Sequence, residues 1–315
     1  MPVLGAVALA LLPAVLTPYT QDLVVKIAIS AVFALSLQLL VGTTGLVSLG
    51  HAAFLGIAGY VTVLATGDRG AGALPWLLLL SVGAATAYAL FVGALSLRTK
   101  GVYFIMVTLA FAQMAYFVFH DTKVAGGSDG IFLYSKPVLE WGGHTLLDLD
   151  NKRHLYYTVW LALVLTYGLL ALIGRSRFGH ALAGIRVNEQ RMRAAGFSTY
   201  GYKLAAFVIA GALAGVAGFL HVVKDGAVNP ELLSWHESGA VLLMIILGGI
   251  GSLRGAVIGA VAFTLLKEFF QSEGLLGPLA SHWQLTLGLT IIAFVALLPQ
   301  GLIGLPARLR GVRRG

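Results

Sequence analysis

The sequence predicts an all-α, polytopic integral membrane protein with about ten transmembrane helices, and two observations lead to this prediction. Of the 315 residues, 58% are hydrophobic and only 11% are charged, whereas soluble domains carry about a quarter charged residues. Several apolar runs, such as 74–97 and 204–223, reach the roughly 20 residues that a helix needs to cross a bilayer. The chain therefore lacks the polar surface of a soluble protein.

The apolar runs locate the expected membrane segments within a single transmembrane domain over 1–315. The segments lie near 3–18, 23–41, 44–66, 74–97, 101–120, 154–174, 203–223, 238–252, 255–270 and 283–299. No basic residue precedes the first run, so no cleavable signal peptide is expected. The sequence contains no cysteine, which excludes disulfides and thiolate metal sites.

Charge is distributed asymmetrically between alternate loops. With the N-terminus in the cytoplasm, 13 of the 21 basic residues fall in inner loops, where Glu189 is the only acidic residue. Because basic residues are retained in the cytoplasm during insertion, this asymmetry predicts cytoplasmic termini and an even number of spans. Topology thus accounts for the net charge of +8 better than nucleic-acid binding does. The basic tail 306–315 is expected to contact anionic lipid headgroups.

Two loops are long, one outside at about 121–153 and one inside at about 175–202. In the inner loop, large or acidic residues recur at three- or four-residue steps, which predicts short helices. These residues are Phe178, Leu182, Ile185, Glu189 and Met192. A helix lying on the membrane surface is one interpretation. Glu189 and a turn-like stretch around Gly196 instead favour a short helix, a break and docking into the groove of a partner.

Two apolar segments are interrupted by glycine-rich stretches, in two halves of the chain that resemble each other weakly. The first reads GTTGLVSLGH (42–51) and the second GSLRG (251–255). Paired, glycine-broken segments indicate a transport pathway, because non-helical backbone at membrane depth is tolerated only inside protein or beside a watery cavity. Close helix packing is the alternative for glycines such as those in 211–215 and 255–259.

The candidate pathway residues lie in or beside these glycine-rich stretches, apart from Gln113 in the separate apolar run 101–120. They are Ser48, Gly50, His51, Phe54, Gln113, Gly249, Gly251 and Ser252. An ionisable group inside a membrane segment is costly and is usually placed for function, which singles out His51. The alternative is that a neutral histidine bonds a neighbouring helix and holds it, and Gln38 and Gln113 are open to the same interpretation.

Sequence signatures of catalysis are missing. No G-x-x-x-x-G-K-[ST] phosphate loop and no H-E-x-x-H zinc pair occurs, so this chain is not expected to bind ATP by that loop or zinc by that pair. No set of nucleophile and base is evident, and we expect neither an enzyme nor a bound cofactor or metal. An ion-coupled secondary transporter, an intramembrane enzyme and a structural scaffold remain as alternatives.

Five longer motifs carry a family resemblance. They read GLVSLGHAAFLGIAGY, GVYFIMVTLAFAQM, GGSDG, IRVNEQRMRAAGFSTYGYKLAAFVIAGALAGVAGFL and SGAVLLMIILGGIGSLRGAVIGA. In this order, over about 40–305, the chain resembles the LivM-type permease subunit of branched-chain amino-acid ABC importers. The sequence departs from the family pattern at Gly179-His180, where Gly-Arg is usual, and at Gly255-Ala256, where Gly-Pro is usual.

The resemblance implies a role for the inner loop and a set of partners. In such importers the loop carries a coupling helix that docks on a separate ATPase. Carried over to this sequence, the coupling residues are Arg186, Asn188, Glu189, Ala195 and Gly196. The implied partners are a second, LivH-like permease subunit, two ATPase subunits that use ATP-Mg, and an extracytoplasmic binding protein. The implied location is the bacterial inner membrane, and the implied cargo is a branched-chain or other hydrophobic amino acid, with urea or a short amide as the alternative.

Overall fold

The computed structural model describes residues 17–67, 73–141, 144–272, 274, 277–298 and 300–304. Six helices in this part of the chain are long and apolar enough to cross a membrane, or seven if one sharply bent pair is counted as a span. The protein is therefore a helical, multi-pass membrane protein, while the predicted count of ten spans is not confirmed. The first predicted segment (3–18, apart from its last two residues) and the basic tail lie outside the described residues.

The described helices and strands follow one another in this order. The helices are α1 (Pro18–Gln38), α2 (His51–Thr66), α3 (Leu74–Ser96), α4 (Val102–Asp121), α5 (Lys152–Arg175), α6 (Arg177–Val187), α7 (Glu189–Ala194), α8 (Thr199–Asp225), α9 (Trp235–Gly248), α10 (Leu253–Gln271) and α11 (Trp283–Leu297). The strands are β1 (Ile131–Phe132), β2 (Val138–Trp141), β3 (His144–Asp148) and β4 (Ala227–Val228). Short 3₁₀ turns occupy Lys123–Ala125, Gly127–Asp129, Pro230–Leu233, Gly277–His282 and Leu302–Gly304.

Polar side chains fix where several helices begin. Asn151, Ser176, Asn188 and Ser252 immediately precede α5, α6, α7 and α10, and each accepts a hydrogen bond from a backbone N–H two or three residues further on. Such caps satisfy N–H groups that have no partner within the helix. The inner loop therefore divides into two helices at Asn188 because that residue both ends α6 and caps α7.

The centre of the bundle is α8 packed against α2 and α3. Gly211 and Gly215 of α8 lie against Ala89 and Ala85 of α3, and Gly218 lies against the backbone of Leu55 in α2. A methyl group at any of these glycines would collide with its neighbour. Small residues let membrane helices approach closely and gain packing contacts, so the close-packing interpretation of the glycines at 211 and 215 is confirmed.

The first interruption, residues 39–50, turns the chain back into the bundle. After α1 the chain forms a π-helical turn, Leu39–Thr44, which ends at Gly45 in the left-handed conformation with φ 74°. The helix then resumes only at His51, beside Ser36 of α1. The predicted span 44–66 is thus wrong as a continuous helix: α2 has 16 residues and is too short to qualify as a span.

The second interruption, residues 249–252, separates two helices that fold back on each other. α9 and α10 are bent by 116° at this break, and together they count as at most one span rather than the two predicted at 238–252 and 255–270. Gly248 lies against the backbone of Gly255, and Gly259 lies against the backbone of Met244. The glycines of 255–259 therefore serve close packing, as the alternative interpretation proposed, and they permit this tight reversal.

Contacts between distant residues group the loops at two ends of the bundle. At one end Lys26 pairs with Glu268 (2.6 Å between Nζ and Oε1), and Lys224 approaches Asp22 (3.4 Å between Nζ and Oδ2). At the other end the hydroxyl of Tyr200 donates to the carbonyl of Ala94 at 2.8 Å. The second end carries α6 and α7, for which the charge pattern predicts a position on the inside.

The predicted outer loop contains short β structure, which the all-α prediction did not include. β1 pairs with β4 and β2 pairs with β3, both antiparallel. The β1–β4 pairing joins the loop to the segment that follows α8. Segments that leave the bundle at the same end can satisfy their backbone N–H and C=O groups by pairing with each other.

Candidate functional site

The inner loop consists of two short helices and a glycine break, as predicted. Leu182 and Ile185 of α6 are buried, and Gly184 of α6 packs against the thioether of Met192 in α7. α7 ends at Ala194, Ala195 caps it, and Gly196 follows with φ 86°. A positive φ is readily adopted by glycine, so Gly196 permits the turn that leads into α8.

Glu189 is held by its own chain. Its Oε1 accepts hydrogen bonds from Arg193 (2.6 Å), from Lys203 (2.9 Å) and from the hydroxyl of Thr199 (3.0 Å). The side chain of Lys203 is only 7% exposed and that of Glu189 is 23% exposed. These four residues, called the Glu189 cluster below, tie α7 to the first turns of α8.

The electrostatics of the Glu189 cluster favour the ionised carboxylate. Burial raises the pKa of Glu189, but the hydrogen bond and charge of Lys203 oppose this effect, and Thr199 and Arg193 add further hydrogen bonds. The net result is a pKa of Glu189 below its usual range. The carboxylate is thus ionised at neutral pH and forms a salt bridge with Lys203.

The loop surface that a partner can reach differs from the set of predicted coupling residues. Asn188, Ala195 and Gly196 are exposed, whereas Glu189 is turned towards α8. Val187, at the end of α6, is 83% exposed, and no sequence pattern singled it out.

Arg186 is exposed and lies over both interruptions. Its guanidinium donates a hydrogen bond to the carbonyl of Gly42, and its aliphatic stem lies beside Gly45. With its amide oxygen facing α10, Gln38 accepts hydrogen bonds from the N–H of Gly251 (2.7 Å) and of Ser252 (2.9 Å). The predicted coupling residue Arg186 and the predicted pathway residue Gly251 are thereby brought together.

A second group of predicted pathway residues is enclosed within the bundle. Ser48, Gly50, His51 and Phe54 are all buried. The hydroxyl of Ser48 accepts the N–H of Gly50 at 3.2 Å. Gly249, Gly251 and Ser252 belong instead to the second interruption.

His51 makes the interhelical contact that the alternative interpretation required. Its Nε2 is 2.8 Å from the hydroxyl of Ser36, and its ring stacks on Phe33 and meets Phe54 edge-on. Its Nδ1 has no hydrogen-bond partner among the described residues. The N–H of Ala52, the next residue, is bound by the hydroxyl of Ser238, so the start of α2 is held from both α1 and α9.

Gln113 is half-buried on α4, and its side chain makes no hydrogen bond within the described part of the chain. The residues that sequence reasoning missed are Lys203, Ser36 and Ser238, whose partners lie 14, 15 and 186 positions away along the chain. No local sequence spacing predicts contacts between residues so far apart.

A cavity of about 290 Å³ opens beside the second interruption. Its walls are mostly apolar side chains of α9 and α11, including Ile246, Ile250 and Phe294, with the polar Gln300 at one side. The set of predicted pathway residues does not line it. The functional roles of all the predicted site residues, and the predicted lack of a bound cofactor or metal, stay predictions.

Comparison with known proteins finds similarity to one family over most of the chain. The family model described as "Branched-chain amino acid transport system / permease component" matches residues 19–295. The high-affinity branched-chain amino acid transport system permease protein LivM of Escherichia coli is 30% identical over 304 residues, which covers 90% of this chain and 70% of the relative. LivM of Salmonella typhimurium is 30% identical over 302 residues, 90% of this chain and 69% of the relative.

A more distant similarity covers a smaller part of the chain. The xylose transport system permease protein XylH of Escherichia coli is 31% identical over 125 residues, 38% of this chain and 32% of that protein. No solved structure matches the chain significantly. With a family match over most of its length and helices suited to crossing a membrane, the chain belongs to the family of permease components of branched-chain amino acid transport systems.

Proposed function

We propose that this chain is the translocating subunit of an ABC importer for branched-chain or other hydrophobic amino acids in the bacterial cytoplasmic membrane. The observation that carries the proposal is the hydrogen bond of the inner loop to the first interruption, from Arg186 to Gly42, together with the approach of Arg186 to Gly251 in the second. A loop that is to move a pathway must touch the parts of the pathway that can change shape. The names of the relatives support the substrate class.

The orientation follows from charge. The end of the bundle that bears α6 and α7 carries the arginine-rich loop, and basic loops remain in the cytoplasm. The opposite end carries Asp22, Asp225 and Glu268. ATPase subunits therefore approach α6 and α7, and an extracytoplasmic binding protein approaches the opposite end.

The proposed cycle assigns chemistry and movement to different subunits. ATP-Mg is bound and hydrolysed by two partner ATPases, whose closure displaces α6 and α7. The bundle then opens outward, and the amino acid passes between this chain and a second permease subunit. A zwitterion with an aliphatic side chain needs no fixed strong charge along its path, which agrees with the apolar character of the helices.

The test is uptake by the reconstituted complex in liposomes. We expect labelled leucine to accumulate only with ATP and the binding protein, and urea and xylose to be excluded. Accumulation of urea or xylose instead of leucine would assign a different cargo to the same machinery. Uphill uptake by this chain alone, driven by an ion gradient, would refute the proposal.

A variant of the Glu189 cluster tests the coupling role of the loop. Glu189→Lys places a third positive charge beside Lys203 and Arg193, so ATP-dependent uptake should be abolished while the protein still inserts. The double variant Glu189→Lys with Lys203→Glu restores an opposite-charge pair and should recover part of the uptake. Full uptake by the single variant would remove the Glu189 cluster from the coupling mechanism.

A further inference from the structure

We propose that Arg186 is a positioning residue that transmits displacement of α6 and α7 to both interruptions at once. The inference rests on the proposed function, because it needs a partner that moves the loop. It goes beyond that function by assigning the transmission to one side chain and by naming the backbone groups on which it acts.

The first step is the contact with the end of the π-helical turn. The last carbonyls of a helix have no partner within the helix, and a cation there also meets the negative end of the helix dipole. The guanidinium of Arg186 donates to one such carbonyl, that of Gly42. Its Cγ lies 3.2 Å from where a Cβ on Gly45 would be, so the side chain covers the point at which the chain turns.

The second step is the proximity of the two interruptions to each other. The position of a Cβ on Gly42 would be only 3.2 Å from the Cα of Gly251, and the Nη1 of Arg186 lies 3.9 Å from the Cβ position of Gly251. Gln38 joins the same two segments through its hydrogen bonds to the second interruption. One side chain of the loop therefore lies over a junction that belongs to α1, α9 and α10 together.

The third step is the position of Arg186 within the loop. It occupies the last turn of α6, directly before the exposed Val187 and the cap residue Asn188. A partner that presses on Val187 or on α7 reaches Arg186 through one or two residues. Because the guanidinium holds a carbonyl through a charge-assisted hydrogen bond, displacement of α6 either pulls that carbonyl or breaks the bond.

The fourth step is the placement of the hinges. Gly45, Gly249 and Gly251 have φ values of 74°, 118° and 93°, a region that side chains other than glycine rarely adopt. Hinges are a few loop or helix-end residues that absorb changes of φ and ψ. Arg186 touches or approaches the glycine on each side of the junction, which is where a small displacement has the largest effect.

Single-cysteine reporters can test the inference, since the native sequence contains no cysteine. One reporter is Ile250→Cys in the second interruption, where Ile250 is 50% exposed; the other is Val187→Cys on the loop. Labelling by a maleimide is measured in the reconstituted complex, without nucleotide and after trapping with ATP and vanadate. In the otherwise native chain we expect trapping to change the labelling rate at both reporters.

The decisive comparison is between two arginines of the same helix. With Arg186→Gln, the reporter on the loop should still respond to trapping, while the response of the Ile250 reporter falls about tenfold, as expected for loss of a charge-assisted hydrogen bond. Arg177→Gln, a matched change at an exposed arginine at the start of α6, should leave both responses intact. Arg186→Lys, which keeps the charge and can donate one bond, should rescue the response in part.

The outcomes separate the inference from the proposed function. An Ile250 reporter that responds fully in Arg186→Gln would overturn the transmission role. So would a loss of response at both reporters in Arg186→Gln, because that pattern indicates a loop that no longer docks. Absence of any ATP-dependent response in the native complex would overturn the proposed function itself, and the transmission role with it.

Discussion

Removal of the charge of Glu189 should loosen α7 from α8 without unfolding the bundle. The change is Glu189→Gln, which keeps the shape of the side chain and retains one acceptor oxygen. In the structure Oε1 serves Arg193, Lys203 and Thr199 at once. The neutral amide cannot balance the ammonium of Lys203, which stays enclosed between α7 and α8.

The expected magnitude follows from the exposure of each partner. The Arg193 side chain is 52% exposed, so its pair with Glu189 is a surface interaction worth roughly 0.3–0.5 kcal/mol. Lys203 is 7% exposed, and a hydrogen bond to such a charged group contributes about 1.5–3 kcal/mol. The sum is about 1.8–3.5 kcal/mol, which multiplies the population with α7 undocked by about 20 to 300, since about 1.4 kcal/mol is tenfold.

Hydrogen exchange of the purified chain in detergent or nanodiscs measures this population directly. Backbone amides of residues 189–203 should exchange about 20 to 300 times faster in Glu189→Gln, given the same energies, while amides of the central helices stay protected. The control Arg193→Gln removes the exposed partner and should accelerate exchange only a few-fold. Equal acceleration by the two variants would show that the enclosed Lys203 does not dominate the cluster, contrary to the reasoning.

Three further predictions concern pH and the two interruptions. Because the pKa of Glu189 lies below its usual 4.5, protection of α7 should be constant above about pH 4.5 and be lost as the pH falls through the depressed pKa. Once hydrogen-exchange rates are corrected for the pH dependence of intrinsic exchange, Glu189→Gln should lack this dependence. Gly50→Ala drives a methyl group into the carbonyl of a residue in α4 and should destabilise the chain by about 1–3 kcal/mol in thermal unfolding. Gly83→Ala, whose methyl group would meet no atom of the described residues within 4 Å, should be neutral or stabilising. Gln38→Leu leaves two N–H groups of the second interruption without the acceptor oxygen of Gln38, at a cost of about 1–3 kcal/mol each. It should therefore speed maleimide labelling of a cysteine placed in that interruption at least tenfold, whereas Gln113→Leu should not. Equal labelling rates in both variants would contradict the capping role of Gln38.

The long helices and the division of the inner loop were predictable because they depend on local patterns. Continuous apolar runs identified α3, α4, α5 and α8 to within a few residues, since only helices satisfy backbone groups within a lipid-exposed segment. The three- to four-residue spacing in 178–192 identified α6 and α7. The break at Gly196 was predicted from its turn-like neighbours, and the structure places a positive φ there. All these features are decided within about ten residues of chain.

The number of spans was not predictable from apolar runs, because hydrophobicity does not show whether a segment crosses the membrane or turns back. Residues of α2, α9 and α10 are as apolar as those of a span, yet the glycines before or between them let the chain reverse within the bundle. A 16-residue apolar helix that begins in the interior of the protein, as α2 does, does not have to cross the whole membrane. The sequence located the glycine breaks, but the direction of the chain after each break depends on contacts such as His51 with Ser36 and Gly248 with Gly255.

The role of Glu189 illustrates the same limit at the level of a single residue. The family resemblance points to Glu189 as part of a surface that meets an ATPase, and the structure turns its carboxylate towards Lys203. Fourteen residues separate the two, with a helix break between them, so no helical spacing links them in sequence. A charged residue at the start of an apolar helix, as Lys203 is, was the only available sign that a carboxylate was needed nearby.

The two kinds of glycine in this chain divide it into parts that resist movement and parts that allow it. Gly211, Gly215 and Gly218 sit in helical backbone against α2 and α3, where any displacement loses packing over a whole interface. Gly45 and Gly251 instead adopt positive φ at breaks where hydrogen bonds come from single side chains, Arg186 and Gln38 among them. Breaking one such hydrogen bond costs far less free energy than separating packed helices. Displacement of the inner loop is therefore expected to bend the chain at the interruptions and to leave the α2–α3–α8 core intact. Hydrogen exchange that rises at 39–50 and 249–252 on nucleotide trapping, with no change at 211–218 of α8, is the pattern that this division requires; a rise at 211–218 would refute it.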